Sequence, residues 1–418
     1  MTTLTFWMEK QISEKSFSFH LTNILVHGAN CHLAFKIYRE FFSLKKSFLA
    51  AIIFSIHPVH VESVAGIVGR ADLLYSLFAL AGILLAVKTA NSSFNFFAIS
   101  SLCFISTLCK EQGIMLIPMI LSIEVLVKHQ LKIFPIPKCA KKQLLFFKFL
   151  IYALLFGGII YWRMSLVNFS PPTFQVGDNP FAFIKSAFLK WINLTYIYSI
   201  NAWILLAPDW LCFDWAFHCI RPIDHISDPR ICFVILFVSI FFGLILISAK
   251  RNDSKVLLNL SFLILPFLPA SNIVFTVGFV IAERNLYLCV FGYAGLIISG
   301  FRRLETKFKS KKSRKCLKFF SIFVLLTFAA KSWIRSIDWQ TEDQLYSSGL
   351  RVCPNNAKIF YNLAKLSADG AASNPDKRES EVLRSRAVHH YKKALNLWPD
   401  YEQALNNLGN LYRQVIII

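Results

Sequence analysis

Apolar runs alternate with short polar breaks from residue 17 to residue 330, and then the pattern stops. The runs cover residues 17–38, 41–56, 73–87, 94–109, 114–127, 144–162, 231–248, 256–269, 286–298 and 316–330. Several approach the roughly 20 residues an α-helix needs to cross a bilayer, which predicts an all-α, polytopic membrane region of about ten spans. Residues 181–207 fit less cleanly. Lys185, Lys190, Asn193 and Asn201 stand there among aromatic side chains, which suits an interfacial or re-entrant amphipathic helix as well as a span. Residues 1–16 are polar and lack the apolar core of a cleavable signal peptide. This divides the chain into a short polar terminus (1–16), a membrane region (17–333) and a polar helical appendage (334–418).

In the appendage, small and aromatic residues recur at fixed offsets. Asn356-Ala357, Asn362-Leu363-Ala364, Ala387, Tyr391, Ala394-Leu395, Leu397 and Pro399 make one copy, and Ala404, Asn407-Leu408-Gly409 and Leu411-Tyr412 begin a second. These are the interlocking positions of tetratricopeptide helix pairs. A spacing longer than the usual 34 residues between Pro354 and Pro399 predicts an insertion, placed at residues 371–381. A solenoid needs about three repeats, so the C-terminus reads as truncated inside its second.

Composition sharpens this picture. Hydrophobic residues make up 55% of the chain, with 41 Phe and a mean hydropathy of +0.51, more apolar surface than a soluble domain can hide. The net charge of +21 would point to nucleic acid in a soluble protein. Here Lys and Arg fall in blocks between apolar runs: six Lys from Lys128 to Lys148 around Pro135 and Pro137, then Lys250, Arg251 and Lys255, then nine from Arg302 to Lys318. That is the distribution of cytoplasmic loops, so no nucleic-acid partner is expected.

Placing every basic block on the cytoplasmic side has a consequence. It sends the loops at 57–72, 110–113, 163–230 and 270–285, and everything after Trp333, to the opposite face, provided residues 181–207 do not cross. The sequon at Asn168 then lies on the same side as those loops, with Pro171 disfavouring its use. That at Asn193 falls inside the ambiguous segment, and Asn91 and Asn252 fall on the cytoplasmic side. The ten Cys form no metal-binding pattern, and most sit in apolar runs as small hydrophobes. Cys212 and Cys219 share a short polar loop where a disulfide would be available in an oxidising compartment.

The chemistry concentrates in residues 57–72, HPVHVESVAGIVGRAD. His57, His60, Glu62, Arg70 and Asp72 sit there between two apolar runs, where ionisable side chains are costly unless they pair or line a wet cavity. Pro58 ends the incoming helix, and Gly66 and Gly69 are expected to turn the loop back tightly. The bland reading is that Arg70 pairs with Asp72 and the histidines cap helix ends. Glu111 adjoins Lys110 in the same way, whereas Glu62 has no cation beside it in sequence, so burial would raise its pKa.

The words FHLTNILVH (19–27), HPVHVESVAGIVGRADLL (57–74), CKEQG (109–113), GDNPF (177–181), PDWLCFDW (208–215), ERNLYL (283–288) and NNAKIFYNLAKL (355–366) occur in this order. Together they resemble the transmembrane and tetratricopeptide-repeat (TMTC) family of endoplasmic-reticulum protein O-mannosyltransferases. The resemblance implies a GT-C-type membrane glycosyltransferase fold in the endoplasmic-reticulum membrane, with polar loops and repeats in the lumen. It implies dolichyl-phosphate mannose as donor and Ser/Thr hydroxyls of secretory or cell-surface proteins, cadherin-like ectodomains among them, as acceptors. Protein partners through the tetratricopeptide repeats are implied as well.

Such a transfer needs a carboxylate to take the acceptor proton, cations to hold the leaving phosphate and a groove for the isoprenoid. On this reading Glu62, Asp72 and Glu111 are the candidate bases. Arg70, Lys110 and Arg284 are the candidate phosphate ligands, and His57, His60, Glu283 and Tyr287 support them. Arg163 reads as an aromatic-belt anchor beside Tyr161 and Trp162. Asp209, Asp214, Trp203, Trp210 and Trp215 are placed around the acceptor or in the headgroup belt. No acidic pair of the nucleotide-sugar type stands on the luminal side, so no metal is expected. One departure is that family members begin with a further helix and a luminal loop carrying paired acidic residues, whereas Met1–Ser16 alone precedes the first apolar run here. The expectation is a lost upstream segment. The competing function is a membrane-anchored luminal scaffold whose repeats bind clients, and a solute transporter ranks below both for want of inverted repeats.

Overall fold

The computed structural model describes residues 1–88, 93–128, 141–170, 172–308 and 310–416. Most of the basic block at 128–148, with Pro135 and Pro137, lies outside the described residues, as do Asn91, Pro171 and Lys309. Among the described residues every regular element is helical and no strand forms. They gather into two compact units.

The first unit holds Met1–Thr173, Phe233–Phe275 and Arg284–Trp333. Each apolar run read from the sequence is helical. Ser16–Phe41 packs on Leu44–Ile56 and on Arg70–Lys88, and the last also packs on Ser93–Cys109 and Leu116–Ile123. Ser254–Ile264 packs on Cys289–Lys307, which reaches Leu44–Ile56. Among the described residues, four helices are long and apolar enough to cross a membrane: Ile67–Lys88, Phe146–Leu166, Ile231–Lys250 and Lys311–Asp338. The first is half buried by its neighbours, but the apolar windows of the other three are only 11%, 11% and 6% buried. Helices that are hydrophobic all round and left uncovered by protein need hydrocarbon as their partner, which makes this a membrane protein. The polar N-terminus forms the helix Thr2–Ile12, and the Thr2 hydroxyl donates to the Cys109 carbonyl at 3.0 Å.

The second unit holds Phe174–Cys232, Thr276–Glu283 and Ile334–Ile418. The ambiguous segment forms the helix Ala187–Leu206, which is not among the four apolar enough to span. It buries Asn193, Ile197, Asn201 and Ile204 and exposes Phe188, Trp191, Trp203 and Leu206, so its uncovered side chains include large apolar ones. Asn193 accepts the Ile223 N–H at 2.7 Å and donates to the Ile223 carbonyl at 2.9 Å. Its sequon is therefore buried, unlike Asn168, which stands exposed at a left-handed turn.

Cys212 and Cys219 do not pair with each other. Cys219 is bonded to Cys353, with Cα atoms 4.8 Å apart, and Cys212 is free and buried. The pairing escaped the sequence because its two halves are 134 residues apart, whereas the search for partners was local.

Glu342–Val352, Ala357–Ser373, Lys377–Leu397 and Glu402–Ile416 form successive antiparallel helices. Ala357, Ala364, Ala387, Ala394 and Ala404 are fully buried at their contacts, where small side chains let the backbones close. The insertion expected at residues 371–381 lengthens both helices of the pair and leaves a turn at residues 374–376, capped by Asp376 on the Arg378 N–H. Phe217, from the 208–221 loop, joins the same core and stacks on Tyr401 with ring centroids 5.1 Å apart. Asp214 fixes the junction, pairing with Lys358 at 2.7 Å, while its carbonyl accepts from Asn356.

Candidate active site

In the first unit, the breaks at 57–72 and 110–113 and the turn at 284–287 come together at the ends of their helices. Pro58 ends the incoming helix as expected, and a short helix, His60–Ala65, follows. Gly66 and Gly69 work differently from expectation. Neither adopts a left-handed conformation. Gly69 is needed for close approach: a Cβ there would lie 2.4 Å from the Ser63 carbonyl oxygen.

The bland pairing of Arg70 with Asp72 does not occur. The Arg70 side chain is only 1% exposed and points to the N-terminal helices. It pairs with Glu9 at 2.5 Å, donates to Asn23 and to the Phe19 carbonyl at 3.0 Å each, and lies 4.3 Å from the Phe6 ring centroid. A guanidinium enclosed in this way is a structural clamp, so Arg70 is removed from the candidate phosphate ligands. Glu9 is a residue that sequence reasoning missed, since it carries no motif.

Asp72 pairs with Lys110 instead, at 2.5 Å, with side-chain exposures of 2% and 19%. The Lys110 ammonium also donates to Asn285 Oδ1 at 2.9 Å, and Gln112 Nε2 donates to the same oxygen at 3.1 Å. Gly113 makes the tight turn beneath them possible, because a Cβ there would meet the Ser106 backbone at 2.3 Å. Glu111 turns the other way and pairs with Arg163 at the surface. Its caveat of pairing with Lys110 is thus corrected, as is the reading of Arg163 as a simple anchor.

Glu62 is not isolated from cations. Its Oε2 accepts the Arg284 N–H at 3.0 Å, and its Oε1 lies 3.8 Å from Arg284 Nε. The carboxylate is 9% exposed beneath a guanidinium that is 39% exposed. Arg284 thus combines a buried counter-charge with a reachable fork of donors, the arrangement that binds phosphate oxygens.

The histidines form a neutral scaffold around Tyr287. His60 Nε2 donates to the Tyr287 carbonyl at 3.1 Å, and the two rings lie 4.3 Å apart. Burial, reinforced by His27 and His57 nearby, pushes the His60 imidazole well below its ordinary value of 6.5. The Tyr287 hydroxyl lies 2.7 Å from His27 Nδ1 and accepts from Asn30 at 3.1 Å. His57 packs edge-on against Tyr293 and Phe328.

Glu283 is fully buried in the second unit, and its Oε1 accepts the Cys212 N–H at 2.5 Å and the Trp215 indole N–H at 3.4 Å. It therefore shapes the PDWLCFDW loop. Trp210 and Trp215 of that loop, with Tyr196, Arg221, Arg230 and Arg351, line a cavity of about 420 Å³. Burial pushes the Cys212 thiol up to about 12, so it is inert. Among the described residues, no group of three or more His, Cys, Asp or Glu is placed to hold a metal ion.

Comparison with known proteins points to one family. Residues 168–242, which include the amphipathic helix and the PDWLCFDW loop, match the family model described as Protein O-mannosyl-transferase TMTC, DUF1736. The chain is 38% identical over 412 residues to Protein O-mannosyl-transferase F38B6.6 of Caenorhabditis elegans, covering 96% of this chain and 54% of that protein. The chain is similar to the TMTC family. It is 37% identical over 412 residues to Protein O-mannosyl-transferase TMTC4 of Mus musculus, covering 88% of this chain and 55% of the relative. Against Protein O-mannosyl-transferase TMTC3 of Homo sapiens the identity is 32% over 440 residues, covering 99% and 46%. The chain spans about half the length of the curated relatives it matches.

Proposed function

We propose that this chain carries the membrane portion of a protein O-mannosyltransferase that takes mannose from dolichyl-phosphate mannose and places it on Ser/Thr hydroxyls of secretory-pathway proteins. The site is proposed to face the endoplasmic-reticulum lumen, in a membrane region of about ten spans, with the C-terminal helices as the start of a luminal tetratricopeptide array. The observation that carries this reading is the meeting of two cation–carboxylate groups, Arg284 with Glu62 and Lys110 with Asp72, at the helix ends of a lipid-facing unit. The Cys219–Cys353 disulfide supports the luminal assignment, since such bonds persist in oxidising compartments.

In the proposed step the acceptor hydroxyl oxygen forms a bond to the mannosyl C1. The bond from C1 to the phosphate oxygen breaks, and its electron pair stays on the phosphate. Arg284 and Lys110 stabilise that charge, in place of a divalent cation. The hydroxyl proton passes to Glu62, the candidate carboxylate that lies beneath the exposed guanidinium and is held by it only loosely. Asp72 is locked to Lys110 and serves to orient it.

One observation favours a second reading, a luminal scaffold that binds client proteins through its repeats: each of Glu62, Asp72 and Glu111 already has a cation. Complementing cells that lack the protein separates the two. The full-length protein restores O-mannosyl glycopeptides, and Glu62→Gln or Arg284→Ala at equal expression restores less than about a tenth as many. Equal restoration by both variants would establish the scaffold reading.

A further inference from the structure

The turn at 284–287 places Asn285 against Lys110 and Gln112 in an arrangement that leaves one buried donor unmet. Asn285 is 3% exposed. Its Oδ1 receives two donors, Lys110 Nζ at 2.9 Å and Gln112 Nε2 at 3.1 Å. An ammonium can only donate, so the orientation of the amide is fixed by chemistry: the oxygen faces Lys110 and the NH2 faces away. That Nδ2 is buried and has no hydrogen-bond partner among the described residues. A buried amide donor left unmade is costly, so a site that fixes one in place suits an acceptor from outside.

The geometry also limits where that acceptor sits. Within a carboxamide the nitrogen lies about 2.3 Å from the oxygen. With Lys110 Nζ 2.9 Å from Oδ1, Nζ and Nδ2 are at most about 5.2 Å apart, near enough for one oxygen to bond both. The Lys110 ammonium has three N–H bonds, of which Asp72 and Asn285 take two, and its side chain remains 19% exposed. The third N–H of Lys110 and the free amide of Asn285 thus form a two-donor cradle, with Asp72 and Gln112 holding its members.

We propose that Lys110 and Asn285 bind one non-bridging phosphate oxygen of a polyisoprenyl-phosphate sugar, with Asn285 touching the ligand directly through Nδ2. The site is the one proposed above for transfer, and the inference rests on that reading. Gln112 is a positioning residue, because it acts through the Asn285 carbonyl.

Asn285→Asp tests the contact. The variant keeps the oxygen that Lys110 and Gln112 bind, and so keeps the internal structure. It removes the NH2 donor and sets a negative charge toward the phosphate. Binding to the full-length protein in nanodiscs is read by thermal shift with three probes: inorganic phosphate, dolichyl phosphate, and dolichyl-phosphate mannose. The native protein is expected to respond to the two lipids and not to inorganic phosphate. Asn285→Asp is expected to melt within a few degrees of the native protein while its affinity for both lipids falls at least tenfold. In a transfer assay the loss should appear in KM for the donor at least as strongly as in kcat. Asn285→Asp binding both lipids within twofold of the native protein would overturn the contact and leave the transferase reading intact. A native protein that answered to neither lipid would overturn both. Asn285→Ala gives the parallel comparison, and loss of lipid binding there with retention in Asn285→Asp would show a purely structural role.

Discussion

Arg70 and Arg284 occur in equally recognisable words of the sequence, yet the structure gives them opposite surroundings. Arg70 is enclosed by Glu9, Asn23 and the Phe19 carbonyl, and breaking such a buried pair costs on the order of 3–5 kcal/mol, so its loss is a folding defect. Arg284 keeps its guanidinium 39% exposed, and on the proposed function its loss is a chemical one. The sequence showed that both words matter and could not show this difference. The partners that decide it, Glu9 for Arg70 and Glu62 for Arg284, are distant in the chain. His60 yields a prediction at the same scale. Its folded pKa is depressed by burial, so the stability it contributes is complete above the unfolded value of 6.5 and is lost as the pH falls toward the folded value. The melting temperature of the native protein should therefore fall between about pH 7.5 and pH 5.5. His60→Phe keeps an aromatic ring beside Phe54 and Tyr287, and should show a shallower fall. Parallel melting profiles for the two proteins would show that His60 takes no part in acid sensitivity.

Hydrophobic runs made the elements legible, because a helix in lipid needs only length and apolarity to declare itself. The ambiguity of residues 181–207 was legible too: Lys185, Lys190, Asn193 and Asn201 lower the apolarity of that stretch, and the structure shows a helix with both asparagines buried and large apolar side chains exposed. The spaced alanines after residue 356 read correctly as helix contacts, and the polar insertion at residues 371–381 proves to be mostly helix, since Lys377–Leu397 is rich in good helix formers. The link between Cys219 and Cys353 was the least legible element. It closes a segment of 134 residues, and the chain-entropy argument assigns such a closure about 5 kcal/mol. Cys353→Ser should lower the melting temperature of the second unit by several degrees and leave Cys219 open to alkylation. Cys212→Ser should do neither, because Cys212 is free and buried. Alkylation of Cys219 in the native protein without prior reduction would contradict the pairing.

At the scale of the whole molecule, the proposed transfer rests on the first unit. Among the described residues three helices have apolar windows that are only 6–11% buried, and the polar breaks of the same unit bring together the Arg284–Glu62 and Lys110–Asp72 pairs. Similarity adds that a relative 38% identical to this chain over 412 residues is a protein O-mannosyl-transferase by name. The most direct measurement is transfer of radiolabelled mannose from purified dolichyl-phosphate mannose to a Ser/Thr-containing acceptor by the full-length protein in nanodiscs, run beside Glu62→Gln and Arg284→Ala. The account predicts labelled acceptor with the native protein and a loss of at least a hundredfold in each variant, about 2.7 kcal/mol of transition-state stabilisation. Transfer that is absent in the native protein, or undiminished in both variants, would contradict it.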